Sequence, residues 1–495
     1  RKSWAQVCRA LLAPPASAQD FLFSASSFAA MPTFSKLLVG AALLLLPAEA
    51  LKAHSTAFAK SQVSLNSYTF EQYSRDFGRS YAAGTAEYRH RAALFAHAVE
   101  EVHATNARNV KEGRSWKAGV HPFMDWSATE RKVLNEGYKP SSKRSGGKGQ
   151  GLALLHLESF AGRSASASAS AANATLASWT ESTSPAVRDQ GNCGSCWAVS
   201  AVEAVEAQLQ RQGTPESVRV SAQALVDCVP NPQHCGGDGG CKGATGELAY
   251  AFVRDNGIPL EKDLPYTAQD GTCPQQGSGP WSGLDQRVRV SGWTNLPSNK
   301  AEPLMQALVQ QGPVVVAVDG NNWFNYDSGV FDDCGKDAIL GHAVLAKGYG
   351  EDAGKKYWLI QNSWGRNWGE EGHIRLLKHE NEDEWCGIDN KPKEGLGCDG
   401  GPEEITVCGT CGLLYDPVIP NGVRIESGSG SSSSSDSAVT SFSAWKPDAP
   451  ASASFDTPAA APAVQAWKPD APAAPAAANS EEQAMDALLG KLRSA

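Results

Sequence analysis

The sequence lacks any excess of positive charge and any long apolar run. Lys and Arg number 44 against 53 Asp and Glu, giving a net charge of −9 and a pI near 5.7. That balance excludes a general nucleic-acid binder, whose footprint is a basic stripe or excess. No apolar stretch approaches the ~18 residues that a helix needs to cross a bilayer. With 41% hydrophobic and 20% charged residues, the composition is that of a globular protein with polar additions. At 495 residues the chain exceeds what one hydrophobic core usually spans, and about 150 residues per domain predicts roughly three units. What is plentiful is cysteine. Twelve residues imply either an oxidising compartment or a metal.

The chain begins at Arg1, and residues 1–30 read as a non-native or untranslated leader. Met31, Lys36, the apolar run Leu37 to Leu46 and the small-residue site Ala48-Glu49-Ala50 form a signal peptide over 31–50. Residues 62–138 contain no cysteine. Phe70, Tyr73 and Phe77 recur at helical spacing, and Glu87 to Asn106 predicts a second helix. Residues 139–175 turn to Gly, Ser, Ala and Lys, a linker composition. Within it Asn173-Ala174-Thr175 is a glycosylation sequon. Residues 176–425 hold eleven of the twelve cysteines. Helices are predicted near Ser195–Arg211 and Ala244–Arg254, followed by strands starting at Pro313, His342, Lys356 and His373, an α+β arrangement in two subdomains. Residues 426–495 carry a serine run and a repeated AWKPDAPA. Such a tract buries too little to fold, and only 480–495 has the cap and apolar stripe of a short helix.

The segment QGNCGSCW, Gln190 to Trp197, concentrates the chemistry. Cys196 stands at the start of a predicted helix, where unpaired N–H groups and partial positive charge favour a thiolate. A nucleophilic cysteine needs a base and a group to orient it. His342, in LGHAV, and Asn362, in QNSWG, supply both, since an amide oxygen accepting the imidazole N–H fixes the tautomer. Gln190 and the Cys196 N–H can complete an oxyanion hole.

These segments, in this order, resemble the active-site segments of papain-like cysteine peptidases, and the resemblance covers 176–395. It implies the papain-like fold, with a helical left subdomain, an antiparallel β-barrel-like right subdomain and a helical propeptide in front. By the family pattern Cys196 is the nucleophile, His342 the acid/base, Asn362 its orienter and Gln190 the oxyanion donor. Trp364 shields the His342–Asn362 bond, with Trp197 and Gly194 in support. Glu87, Arg91, Phe95 and Asn106 match the interspersed propeptide motif of the cathepsin L-like branch, with Ala98 and Val102 as departures. Gly119, Phe123 and Asp125 match the second motif, with His121 in place of asparagine. His121 reads as a surface residue, and release by its protonation at about pH 6 is the functional alternative.

The resemblance also implies the bridges Cys193–Cys241, Cys228–Cys273 and Cys334–Cys386. Cys235, Cys398, Cys408 and Cys411 then form two further pairs of open connectivity. A zinc site at Cys408-x-x-Cys411 lacks a second close pair, and no metal or other cofactor is expected. The pocket for the second residue before the scissile bond is expected from Ala244, Thr245, Gly246, Ala317, Leu340 and Gly341. These small and apolar walls suit a hydrophobic side chain. Lys391 is read as solvated, with a place at the pocket floor as the alternative. No paired histidines lie between Cys241 and Cys273, which argues against an occluding loop and for an endopeptidase. The expected partners are protein and peptide substrates, the chain's own propeptide and cystatin-like inhibitors, for a monomer in a lysosome or vacuole or outside the cell. A non-catalytic binding protein and a peptide ligase are the competing readings.

Overall fold

The computed structural model describes residues 65–135, 185–274, 281 and 283–427. The leader, the signal peptide, Asn173 and the linker, and the tail from residue 428 lie outside the described residues. Among the described residues no helix is long and apolar enough to cross a membrane.

The N-terminal piece forms α1 (Phe70–Asp76), α2 (Ala86–Glu112), a short strand β1 (Lys117–Ala118) and α3 (Ala128–Asn135). A capping box starts α1: the Thr69 hydroxyl accepts from the Gln72 N–H while the Gln72 side chain accepts from the Thr69 N–H. The second helix runs beyond the predicted Asn106 to Glu112, where Gly113 takes the left-handed cap conformation at φ 69°. Phe70, Tyr73, Phe95, Ala98 and Met124 form this piece's own small core.

The cysteine-rich part opens with α4 (Cys196–Arg211), α5 (Ala222–Cys228) and α6 (Gly246–Asn256). It continues through β2 (Gln286–Arg289), β3 (Gly292–Asn295), α7 (Ala301–Gln310), β4 (Val314–Val318), β5 (Tyr326–Ser328) and β6 (Val330–Phe331). It ends with β7 (His342–Asp352), β8 (Lys355–Gln361), β9 (His373–Leu377), β10 (Cys386–Asp389), β11 (Ile405–Cys408), β12 (Val418–Asn421) and β13 (Arg424–Ser427). Seven strands form one sheet in the order β3-β12-β4-β7-β8-β9-β6. Its described pairings are antiparallel except that of β6 with β9.

Two cores result. The helical core gathers around Trp197, Val202, Tyr250 and Ile258, and the sheet core around Val316, Trp323, Trp358 and Trp368. The central helix α4 is buried along almost its whole length, Glu203 and Glu206 included, as a helix between packed layers is. This is the α+β, two-subdomain papain-like arrangement.

Three of the five disulfides join the expected partners or two of the four open cysteines: Cys193–Cys241, Cys228–Cys273 and Cys235–Cys398. The expected Cys334–Cys386 bridge does not form. Cys334 pairs with Cys411, and Cys386 with Cys408. The reason is strand register: antiparallel β10 and β11 place Cys386 directly opposite Cys408. That leaves Cys411, three residues on, to reach Cys334.

Candidate active site

The cysteine-free piece docks on the sheet subdomain. β1 pairs antiparallel with β5, and the Gly119 N–H donates to the Asn325 carbonyl (3.0 Å). Only glycine permits this approach, because a Cβ at Gly119 would lie 2.8 Å from the Asp327 side chain. Asn106 exchanges two hydrogen bonds with Ala118 (2.8 and 2.9 Å), so α2 holds β1 in place. Arg91 forks onto Glu130 through two 2.7 Å contacts and also donates to the Asp125 carbonyl (2.8 Å). Glu87 pairs with Arg91 at 2.7 Å. The pairing with Arg91 and hydrogen bonds from Ser127 hold the Glu130 carboxyl down at about 2, against the upward push of burial. The Asp125 carboxylate is fully buried and accepts from Tyr73 and Tyr81 (2.8 Å each), with Arg79 at 2.9 Å. His121 is buried, not on the surface, and its Nδ1 accepts from the Phe123 N–H (3.2 Å).

Phe123 carries this docking to the site. Its ring meets Phe324 and Trp364 edge-on, with centroids 5.9 and 5.6 Å apart. Helix α3 ends at Asn135, beside the same place. A Cβ at Gly320 would stand 2.7 Å from Asn135 Oδ1 and 3.3 Å from His342 Cδ2.

Cys196 is the first residue of α4 and, among the described residues, the free cysteine. The Ala343 N–H points at its sulfur (3.5 Å), which places the thiol against the first residues of β7. His342 begins that strand, and Asn362 follows directly on β8. His342 Nε2 and Asn362 Oδ1 are 2.8 Å apart. The same oxygen accepts from the Ser363 N–H (2.8 Å). An amide oxygen can only accept, so the imidazole proton resides on Nε2 and Nδ1 keeps its lone pair. Nδ1 is buried without a hydrogen-bond partner. Trp364 stacks on the imidazole at 5.2 Å and Phe324 on Trp364 at 4.9 Å, which keeps water from the His342–Asn362 bond.

Gln190 is buried, its Oε1 accepting from Ser363 Oγ (2.6 Å) and its Nε2 donating to the Cys193 carbonyl (2.9 Å). One amide proton remains to point elsewhere. The turn before α4 is held by the Gly194 N–H on the Cys241 carbonyl (2.9 Å), by Trp197 Nε1 on the Gly240 carbonyl (3.1 Å) and by Tyr266 OH on the Gln190 carbonyl (2.8 Å).

Burial dominates the electrostatics of this pair. It pushes the Cys196 thiol up, against the pull of the neighbouring backbone N–H groups, and brings His342 down to about 4 despite Asn362. Burial thus favours the neutral form of both groups.

Of the expected pocket residues, Ala317 on β4 and Leu340 ahead of β7 fall in one apolar cluster. Ala244, Thr245 and Gly246 are buried at the start of α6, on the helical side. Leu396, Ile405 and Tyr415 pack on the Ala317–Leu340 cluster. Sequence reading did not single them out, because they come from a segment whose fold depends on two unforeseen disulfides. Lys391 is exposed and pairs with Glu394 at 3.3 Å, the solvated reading. The described residues contain no cluster of His, Cys, Asp or Glu able to hold a metal.

Known proteins give the family. Residues 175–396 match the family described as "Papain family cysteine protease". The chain is similar to Digestive cysteine proteinase 1 of Homarus americanus, at 30% identity over 65% of this chain and 92% of that protein. It is likewise similar to the senescence-specific cysteine protease SAG12 of Arabidopsis thaliana, at 32% identity over 64% of this chain and 84% of the other. Among solved structures, digestive procathepsin L 3 of Tenebrio molitor larval midgut matches with a TM-score of 0.52 and 27% identity, covering 71% of this chain and 97% of that one.

Proposed function

The chain belongs to the papain family of cysteine proteases, and on that premise we propose that Cys196, His342, Asn362 and Gln190 divide peptide-bond hydrolysis among them. The protein is a cysteine endopeptidase synthesised as a zymogen, with its own propeptide as inhibitor. The observation that carries the assignment of roles is the imidazole of His342. Its Nε2 is held by Asn362 and its Nδ1 is unpartnered, on a strand whose next N–H touches the Cys196 sulfur.

With the cleft uncovered, Cys196 passes its proton to His342 Nδ1, and the thiolate is favoured by the N-terminus of α4. The thiolate attacks the scissile carbonyl. The resulting oxyanion takes hydrogen bonds from the Cys196 N–H and the remaining Gln190 amide proton. Protonated His342 returns the proton to the leaving amine, and the C–N bond breaks to leave a thioester. Water, deprotonated by His342 Nδ1, then attacks the thioester and restores the thiol. Asn362 holds the ring throughout without adding charge, and Trp364 covers their bond.

Residues 62–138 act as the inhibitory domain, 139–175 as the linker cut on acid activation, and 176–425 as the peptidase. Glu87, Arg91, Phe95, Asn106, Gly119, Phe123 and Asp125 hold the inhibitor's shape and its seat. The pocket formed by Ala244, Thr245, Gly246, Ala317, Leu340 and Gly341 takes a hydrophobic side chain at the second residue before the scissile bond. The enzyme acts as a monomer, open to cystatin-like inhibitors at the same cleft. It passes through the secretory pathway to a lysosome or vacuole or to the cell exterior. Five disulfides among the described residues support an oxidising compartment.

Titration of the acid-activated protein with a thiol-directed epoxide, beside Cys196→Ala, tests the roles. Stoichiometric labelling with peptide cleavage, both absent in the variant, is expected. Absence of both in the wild-type protein at any pH sinks the assignment.

A further inference from the structure

The chemistry leaves the segment between β10 and β11 without a task. It is not a free excursion into solvent. Leu396 stands between the two sides of the expected pocket: its N–H donates to the Leu340 carbonyl (2.9 Å), and its carbonyl accepts from the Gly236 N–H (3.1 Å). Leu340 lies two residues before His342. Gly236 is pressed against the opposite wall, where a Cβ on it would lie 2.5 Å from the Ala244 carbonyl oxygen. A single residue thus ties the loop beside Ala244 to the loop beside His342.

Both ends of the tie are anchored. On the helical side, the Cys235–Cys398 disulfide is joined by the Asp399 N–H on the Gln233 carbonyl (2.8 Å) and by His234 Nδ1 with Asp399 Oδ2 (2.7 Å). On the sheet side, the Leu340 N–H donates to Asp389 Oδ2 (3.2 Å). There a Cβ on Gly395 would sit 2.3 Å from the Leu340 carbonyl oxygen, so only glycine allows the approach. Leu396 itself is half-buried, and its side chain packs with Tyr415 on the apolar cluster of Ala317 and Leu340.

We propose that residues 389–399 are a strap across the substrate cleft, and that Leu396 is the end wall of the pocket for the second residue before the scissile bond. This rests on the pocket assignment made above and names the residue that sets the pocket's size. A side chain entering between Ala317–Leu340 and Ala244–Gly246 meets Leu396. Because the strap is fixed at both ends, covalently at one, it cannot swing aside to admit a larger group. The fit is therefore decided before substrate arrives, which is how preorganisation turns contact into selectivity. The family match ends at Leu396 itself.

The test uses the full-length zymogen, acid-activated, with active sites counted by epoxide titration of Cys196. Substrates vary only in the second residue before the cleaved bond. In Leu396→Ala, kcat/KM for Phe or Trp relative to Val rises on the order of tenfold, the discrimination that a few methylene volumes supply. The change in the ratio lies in KM for the aromatic substrates. Leu396→Phe shifts the ratio the opposite way, and the paired Cys235→Ser, Cys398→Ser variant shifts it as Leu396→Ala does, but less. A preference unchanged in both Leu396 variants at full titration overturns the proposal. So does a change that follows the number of residues before the scissile bond and not the side chain, since the strap would then be a barrier to the backbone. Failure of the wild-type protein to titrate would strike the peptidase roles, a result distinguishable from either.

Discussion

The contact most open to measurement is Phe123, the plug between the propeptide and the catalytic aromatic cluster. Its ring is 5% exposed and meets three Phe or Trp rings, besides His121 of its own turn at 6.2 Å. Trp126 belongs to the propeptide, while Phe324 and Trp364 belong to the peptidase. Truncating a buried Phe to Ala costs about 3–5 kcal/mol in a core. Two of the three partners lie across the interface, so about 2–3 kcal/mol of that loss weakens docking. At about 1.4 kcal/mol per tenfold, Phe123→Ala raises the fraction of zymogen with an open cleft roughly 30- to 150-fold. The readout is the rate at which a thiol-directed epoxide alkylates Cys196 in intact zymogen at neutral pH. A rise below about threefold refutes the reasoning, because two aromatic contacts worth ~0.5–1.5 kcal/mol each would then contribute nothing. A change in kcat/KM of the matured enzyme refutes it too, since residue 123 would have acted on the peptidase itself.

Three further outcomes are expected. Asn362→Ala leaves His342 Nε2 without its acceptor, and kcat should fall on the order of 10–100-fold, the usual cost of losing an orienting partner, with titratable Cys196 retained; an unchanged kcat removes Asn362 from its role. Glu203 is buried in α4, and desolvation raises its carboxyl to about 8, against the pull of Arg188. The folded state then holds a proton that the unfolded chain releases near 4.5, so stability declines as pH rises from about 4.5 to about 8. Glu203→Gln should flatten the thermal midpoint over that window, and an equal slope in both proteins contradicts the assignment. Non-reducing peptide mapping should recover Cys334–Cys411 and Cys386–Cys408. Removing the first, which closes 77 residues, should cost about 4–5 kcal/mol by loop entropy, against about 3 kcal/mol for the second, which closes 22; a denaturant series that ranks them the other way contradicts this.

Local chemistry was legible where the residue type and its sequence neighbours suffice. The helix that opens at Cys196, the strand that opens at His342 and the strand that ends just before Asn362 follow from periodicity and from flanking glycines. Their starts agree with the structure to within a residue or two. Helices α5 and α7 went unread, because each is short and its apolar stripe is completed only by the layer it packs on. His121 looked like a surface residue in a polar segment. It is buried in a turn whose Val120 enters the small core and whose Phe123 packs on Phe324 and Trp364.

The sequence by itself singled out the residues proposed as nucleophile, base and orienter, the cysteine-free piece ahead of them and the α+β class. Each depends on a side-chain type or on a short-range pattern. The tertiary structure alone decided which cysteines meet, because pairing follows strand register: one hairpin set Cys386 opposite Cys408 and thereby gave Cys411 to Cys334. It also decided that Leu396, some 50 residues beyond His342, joins the Leu340 and Gly236 backbones by hydrogen bonds. Proximity of that kind is a property of folded layers and covalent ties, and no periodicity along the chain records it.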